Sequence, residues 1–534
     1  MSESAVQKNS KWVPSLTEIV FVSVMLWLFL AGAGPVTLLG DGDTGWHIRT
    51  GEYILAHHSL PNQDLFSFSK AGQTWYAWEW LSDVVFALVH KAGGLIGVVL
   101  LAGVLIASTS ALLFRYMLWQ GSNMLVALLL MLVASSASTI HWLARPHLFS
   151  YLLLPVTVWL LEADRRRETR WVYALAGLCV LWTNLHGGFL ALIATVGIYL
   201  AGSVMETLWT PAAERQWRRP RRYAQLFGLS AAATLVNPYT YHLHVHILNY
   251  LRSDFILNHV MEFHSPNFRG EGIGYFEILL FASMAAIPLL LKRKDVTLPL
   301  LMMFWAHAAL QSARHVLLFV AVAGPVVARE LSLLWEQAAA SMKNGWLATL
   351  REVAVDYGAG CYGAGRVVGW LSPACVALMT VVLFHTQNQE RMRAEFSNLR
   401  FPVDACKAEG DVLASHRVFT SDQWADYLIY RYYPKLKVFF DGRSDFYGSE
   451  LGDEYMQVMN ADYRWSKIFD RYRFDVALLP TDWPLATTMK SDPNWKVKYD
   501  DGKALLLERV TEPHAAGAET AATRPQAGPG ARKS

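Results

Sequence analysis

Two carboxylates spaced i,i+2 stand in Asp41-Gly42-Asp43-Thr44-Gly45-Trp46-His47, where the first strongly apolar segment ends. Two more acids, Glu79 and Asp83, follow in Trp75-Tyr76-Ala77-Trp78-Glu79-Trp80-Leu81-Ser82-Asp83. A carboxylate at a membrane boundary can hold a divalent cation through oxygen or take a proton from a hydroxyl or amine acceptor. Asp41, Asp43 and Glu79 are therefore the candidate catalytic residues, and Asp41 and Asp43 the candidate ligands for a magnesium or manganese ion. Each has a plainer alternative. Asp41 or Asp43 can cap the helix that follows, and Glu79 can be a carboxylate among interfacial tryptophans.

Polar residues also collect at the ends of later apolar segments: His141-Trp142-Leu143-Ala144-Arg145-Pro146-His147, Asn184-Leu185-His186 and Gln311-Ser312-Ala313-Arg314-His315. Ionisable groups near lipid face a cavity or one another, so these ends point to one polar chamber on one side of a membrane. Its candidate substrate-binding residues are Trp46, His47, Arg145, His147, Asn184, His186, Arg314 and His315. Guanidinium matches phosphate bidentately, imidazole suits phosphate binding or proton transfer, and tryptophans stack on sugar rings. The alternatives are arginines that snorkel to headgroups and an ordinary aromatic belt. His242, His244 and His246 alternate in a way that does not make a ligand set on a helix. The four cysteines lie far apart without a CxxC spacing, which argues against a disulfide framework or a structural zinc.

The elements that must position these residues follow from composition. Of 534 residues 53% are hydrophobic and only 17% charged, below the roughly one quarter charged of soluble domains. This is a polytopic α-helical membrane chain with a soluble part. The net charge of +3 gives no basis for a nucleic-acid partner. A span needs about 20 mostly apolar residues, and eleven candidates are counted: 16–38, 94–114, 123–140, 148–162, 171–186, 188–207, 223–237, 276–291, 296–312, 315–334 and 367–385. Basic clusters at Lys8 and Lys11, Arg165–Arg170, Arg215–Arg222 and Lys292–Lys294 fall on one face if the spans alternate, and that face is cytoplasmic. The N-terminus is then inside and the C-terminal part outside. A transmembrane domain 1–385 thus carries a first outer loop 39–93, a second outer loop 238–275 and a cytoplasmic segment 335–366 with a surface helix over 335–355. Residues 386–511 are expected to form an extracytoplasmic α/β domain. Its strands are expected at 417–420, 437–440, 476–479 and 505–507, with a helix over 422–433. Within it, Asp441-Gly442-Arg443-Ser444-Asp445 is a candidate ligand loop or a salt-bridged turn. Residues 512–534 read as a disordered tail.

A long first outer loop, acids at the outer end of the first span and a second acid before a juxtamembrane amphipathic helix (Glu79 to His90) resemble the GT-C superfamily over roughly 12–335. Its members are integral-membrane glycosyltransferases that use polyprenyl-phosphate-linked sugars, among them O-mannosyltransferases, the aminoarabinose transferase of lipid A and the oligosaccharyltransferase catalytic subunit. The resemblance implies a catalytic or metal-binding acid at Asp43 or Asp41, and lipid-phosphate binding by Arg145 and Arg314. It also implies a polyprenyl-phosphate-linked sugar as donor. The acceptor is left open among lipid, glycan and protein. The first loop lacks the adjacent Asp-Glu pair of the O-mannosyltransferases, and the chain lacks the Trp-Trp-Asp signature of oligosaccharyltransferases. The expected function is sugar transfer on the extracytoplasmic side of a membrane, with a bacterial inner membrane as the expected setting. The alternatives are a lipid-linked-sugar transporter or flippase and a non-catalytic membrane assembly protein. A transporter more often carries inverted repeats and broken midplane helices, and no internal repeat is visible here.

Overall fold

The computed structural model describes residues 14–32, 34–341 and 369–510, with positions 345, 346, 349–352 and 354 between the last two stretches. The basic residues before the first span, most of residues 335–366, expected to be cytoplasmic, and the tail 512–534 lie outside the described residues.

Each of the eleven expected apolar segments contains a helix. Five are long and apolar enough to cross a membrane: Trp80–Trp119, Met124–His141, Phe189–Trp209, Ile273–Lys292 and Ala313–Ala339. Leu16–Ala31 and Leu371–His385 are shorter apolar helices. His147–Arg166, Ala174–Leu185, Arg218–Ala233 and Thr297–Gln311 complete the set. With these helices the chain is an integral membrane protein. The first segment is shorter than its apolar run, because a separate short helix, Pro35–Leu38, begins at a proline after Gly34. Proline at the first helical position starts a helix rather than continuing one.

The first outer loop opens with the helix Asp43–His57, which packs along the start of Trp80–Trp119. That long helix breaks at Gly93 and Gly94, where Gly94 has a φ of +60°. A side chain would be strained there. The break separates the juxtamembrane part, which carries Asp83, from the membrane rod that follows.

Residues 386–510 contain a four-stranded sheet of β1 (Val418–Phe419), β2 (Val476–Pro480), β3 (Trp495–Asp500) and β4 (Ala504–Arg509), in the order β1-β2-β4-β3. β1 runs parallel to β2, and the other pairs are antiparallel. The helix Asp422–Tyr432 begins where expected, capped by Ser421, whose hydroxyl accepts from the Trp424 amide. Two strand expectations need correction. β3 was not anticipated, because Lys496 and Lys498 interrupt its apolar pattern; it is the sheet edge, where lysines block further pairing. Residues 437–440 do not join the sheet. The Val438 amide instead donates to the Phe66 carbonyl at 2.9 Å and its carbonyl accepts from the Phe68 amide at 2.9 Å. The segment is thereby stitched to the first outer loop.

One apolar core accordingly spans both regions: Trp46, Phe66 and Trp75 of the first loop are buried with Phe396, Phe401, Leu428, Val438 and Leu478. The helix Asp422–Tyr432 lies so close to Asp43–His57 that a Cβ on Gly42 would fall 2.4 Å from the Gln423 carbonyl oxygen, and one on Gly45 2.6 Å from that of Asp426. The glycines of the Asp41–Gly45 motif are there for that approach. Replacing Gly42 or Gly45 by alanine is expected to destabilise the protein by about 1–3 kcal/mol through overpacking against backbone. Gly177→Ala, in open space within a helix, is expected to be neutral or slightly stabilising. Thermal unfolding of the detergent-purified variants checks both; equal melting temperatures for all three would contradict the packing argument.

Candidate active site

Arg145, just before the helix His147–Arg166, is the hub of the chamber. Its Nη1 lies 2.9 Å from Asp41 Oδ2 and its Nη2 2.6 Å from Asp43 Oδ2. Two acids at i,i+2 thus converge on one guanidinium because the chain turns between them: the Asp43 amide donates to Asp41 Oδ1 at 3.0 Å as the helix Asp43–His57 starts. A third carboxylate, Glu262 from the second outer loop, approaches Arg145 Nη1 at 3.5 Å and Arg314 Nη1 at 3.7 Å. Arg314 also donates to the Tyr250 hydroxyl at 3.1 Å and stacks over Phe263. Burial raises Glu262, but Arg314 and Arg145 outweigh it and hold the carboxyl below its usual range. Asp43 goes the other way: burial, only partly opposed by Arg145, raises it to about 7. Its Oδ1 is buried and faces the Asp426 carboxyl. A Cβ on Gly442 would lie 2.1 Å from Asp43 Oδ1 and 2.7 Å from Asp426 Oδ2, so the two carboxylates flank the Gly442 backbone.

A second group surrounds Glu79, the residue before the helix Trp80–Trp119. Its oxygens face His47 Nε2 at 3.7 Å and His186 Nε2 at 3.4 Å. His47 Nδ1 in turn meets Asp83 Oδ1 at 2.6 Å. Burial raises Glu79 to about 8 and holds His47 well below its usual value.

These groups line two adjoining hollows. The larger, of about 930 Å³, is bordered by Asp41, Asp43, Trp46, His47, Glu79, Arg145, His186 and Arg314, and on its far side by Asp422, Gln423, Arg443 and Asp445. The smaller, of about 320 Å³, shares Glu79, Arg145, His186, Tyr250, Glu262 and Arg314 with it. Its remaining wall includes Leu190, Ala191, Ala194, Ile247, Leu251, Phe304, Leu317 and Leu318, together with His147 and His315. All but one of the site residues read from the sequence therefore line one hollow or the other.

Asn184 is the exception. Its amide nitrogen donates to the Val180 and Val236 carbonyls and its oxygen accepts from Trp80 Nε1, so it ties helices together outside both cavities. Residues missed in the sequence are Glu262, Tyr250, Asp422 and Asp426; His246, set aside as a ligand, meets Asp445 of the candidate ligand loop at 2.8 Å. Trp78 Nε1 also donates to Asp445. Of the 441–445 loop, Arg443 is bound by Asp441 and by Asp64 at 2.9 Å and stacks on Trp75. That is the salt-bridged reading, whereas Asp445 reaches the chamber.

Among the described residues no group of three or more His, Cys, Asp or Glu is arranged to hold a metal ion. Asp41 and Asp43 each give an oxygen to Arg145.

No family model matches the chain, and no curated protein matches it in sequence. Solved structures do. The archaeal oligosaccharyltransferase AglB from Archaeoglobus fulgidus, in complex with an inhibitory peptide and a dolichol-phosphate, aligns with a TM-score of 0.51 at 10% identity. The alignment covers 94% of this chain and 75% of that one. ArnT from Cupriavidus metallidurans aligns with TM-scores of 0.41 bound to undecaprenyl phosphate (13% identity; 94% of this chain, 98% of that one) and 0.46 in the apo state (11%; 93% and 97%). The fold that the chain shares with the archaeal enzyme is the GT-C fold.

The ion cluster makes a stability prediction. Removing Glu262 leaves Arg145 and Arg314 facing one another, and breaking a dry ion pair from one side costs about 3–5 kcal/mol. The Glu262 side chain is 21% exposed, so Glu262→Ala is expected to cost less, about 2 kcal/mol. Asp500→Ala, which removes the surface pair to Lys490, is expected to shift the melting temperature little. Equal shifts for the two variants would mean that the cluster does not hold the chamber together.

Proposed function

We propose that this chain, built on the GT-C fold, transfers a sugar from a polyprenyl-phosphate-linked donor to an acceptor on the extracytoplasmic side of a membrane. The observation that carries the reading is the wall shared by the two hollows, in which Arg145, Arg314, His186, Glu79 and Tyr250 stand between an apolar groove and a polar chamber. A polyprenyl-phosphate sugar divides the same way: an apolar tail, a phosphate at the boundary and a hydroxyl-rich sugar beyond it. The archaeal oligosaccharyltransferase with this fold was solved with a dolichol-phosphate and a peptide, which supports a lipid-phosphate donor. Alternation of all eleven helical segments from a cytoplasmic N-terminus puts this wall, the first loop and residues 386–510 outside. A bacterial inner membrane is the proposed setting.

In the proposed reaction the lipid phosphate takes the place of Glu262 between Arg145 and Arg314. Contacts of 3.5 and 3.7 Å are loose enough for that exchange, and guanidinium binds phosphate bidentately. Asp43, held by Arg145 at the wall of the chamber, takes the acceptor proton on its carboxylate. The acceptor atom attacks the sugar carbon, the bond from that carbon to the phosphate oxygen breaks, and its electron pair stays on the phosphate. Both guanidiniums face the oxygen that gains charge, and such fixed donors contribute most when water is excluded. Attack opposite the leaving group inverts the sugar carbon. The 386–510 region closes the acceptor side with Asp422, Gln423 and Asp445.

Both Asp43→Asn and Asp43→Ala should lower transfer at least a hundredfold without loss of folding, measured as glycan product by mass spectrometry of membranes supplied with lipid-linked sugar. Turnover retained in both variants would remove Asp43 from the mechanism. A base must be ionised to act, so with Asp43 raised to about 7 the wild-type rate should fall about tenfold per unit as pH drops below that value. Chelation by EDTA should leave the rate unchanged, since Arg145 occupies the position between the acids; a loss restored by magnesium or manganese would show that a cation replaces it.

A further inference from the structure

The chamber's cations are only partly free for a phosphate that gains charge. With Glu262 displaced by the phosphate, Arg145 is still shared with Asp41 and Asp43. When the bond to the sugar breaks, the phosphate becomes one unit more negative in this surrounding. A neutral carboxyl group beside it would supply a hydrogen-bond donor and a proton without adding negative charge.

Glu79 is placed for that. It lines both hollows, and its ionic contacts are with imidazoles from two different elements and with no lysine or arginine. The Gly188 amide donates to His186 Nδ1 at 2.9 Å, so the ring carries its hydrogen on Nε2, which stands 3.4 Å from Glu79 Oε1. On the other side, His47 Nδ1 is 2.6 Å from Asp83 Oδ1. This contact fixes the His47 ring, whose Nε2 stands 3.7 Å from Glu79 Oε2.

We propose that Glu79 is the acid that protonates the departing lipid phosphate, with the His47–Asp83 pair as the positioning group that holds it; this rests on the transferase reading above. As the sugar carbon leaves, its bond electrons pass to the phosphate oxygen, which takes the Glu79 proton. The acceptor's proton resides on Asp43, and Glu79 regains a proton from solvent in the hollow it lines. Burial sets Glu79 high, to about 8, with Asp445 and Asp43 adding to the effect and Arg145 and Arg314 opposing it. At neutral pH the carboxyl is protonated.

Binding of undecaprenyl phosphate to the full chain in detergent, followed from pH 6.5 to 9.5, tests this without knowledge of the sugar. In the wild type a neutral Glu79 donates to the phosphate and an ionised one repels it. Affinity should therefore weaken toward tenfold per unit above about pH 8. Glu79→Gln should bind within threefold of one value over pH 7.5–9.5, and His47→Gln should move the midpoint of the wild-type loss by half a unit or more. A role in packing alone would lower the melting temperature without moving that midpoint. Wild-type affinity that does not change with pH overturns the proposal, and so does the same loss in Glu79→Gln, while the transferase reading stands. The wild-type profile decides the matter alone if Glu79→Gln does not fold. Absence of wild-type binding at every pH overturns the transferase reading itself.

Discussion

A buried charge must have a partner, and at one rim of this helical body that partner is Arg145. Its guanidinium draws together the end of the first apolar segment, the loop before His147–Arg166 and, through Glu262, the second outer loop and Arg314. Each of these charges alone would be expensive beside lipid. Together they form a framework that fixes the loops and leaves a hollow between them. The same convergence explains why Asp43 and Glu262, both carboxylates on one cation, differ so much. Glu262 sits between two guanidiniums, whereas Asp43 shares one and is pressed against Asp426 and the Gly442 backbone.

The second constraint is apolar. Trp46, Phe66 and Trp75 cannot be buried by the first loop alone, and their cover comes from residues more than 300 positions away, Phe396, Leu428 and Val438 among them. The backbone bridge between Phe66 and Val438 and the glycine approach at Gly42 and Gly45 belong to the same joint. Residues 386–510 are thus a wall of the chamber, and the first loop owes its shape to them.

Much of this was legible in the residues. Apolar runs marked every helix of the membrane body, and the rule that ionisable groups near lipid must meet brought Asp41, Asp43, Arg145, His186 and Arg314 to one place before any coordinates. Isolated acids in polar loops carry no such constraint. Glu262 and Asp426 look like any solvated loop or helix acid until folding buries them. Asn184 misled because an amide at a helix end signals a ligand site and a helix tie equally well. Residues 437–440 misled because β-type pattern reports an extended, half-buried backbone and is silent about which partner it pairs with. The 441–445 loop divided, with Arg443 locked in its own ion pairs and Asp445 facing the cavity.

The Gly93–Gly94 break in Trp80–Trp119 has a mechanical consequence. A continuous rod would pass every tilt imposed by bilayer thickness straight to its outer end. An elbow at the interface lets the lipid-embedded half lean while the outer half stays docked against Asp43–His57. Glu79 and Asp83 therefore keep their alignment with His47 in membranes of differing depth, and the chamber is insulated from the elasticity of the medium that holds it.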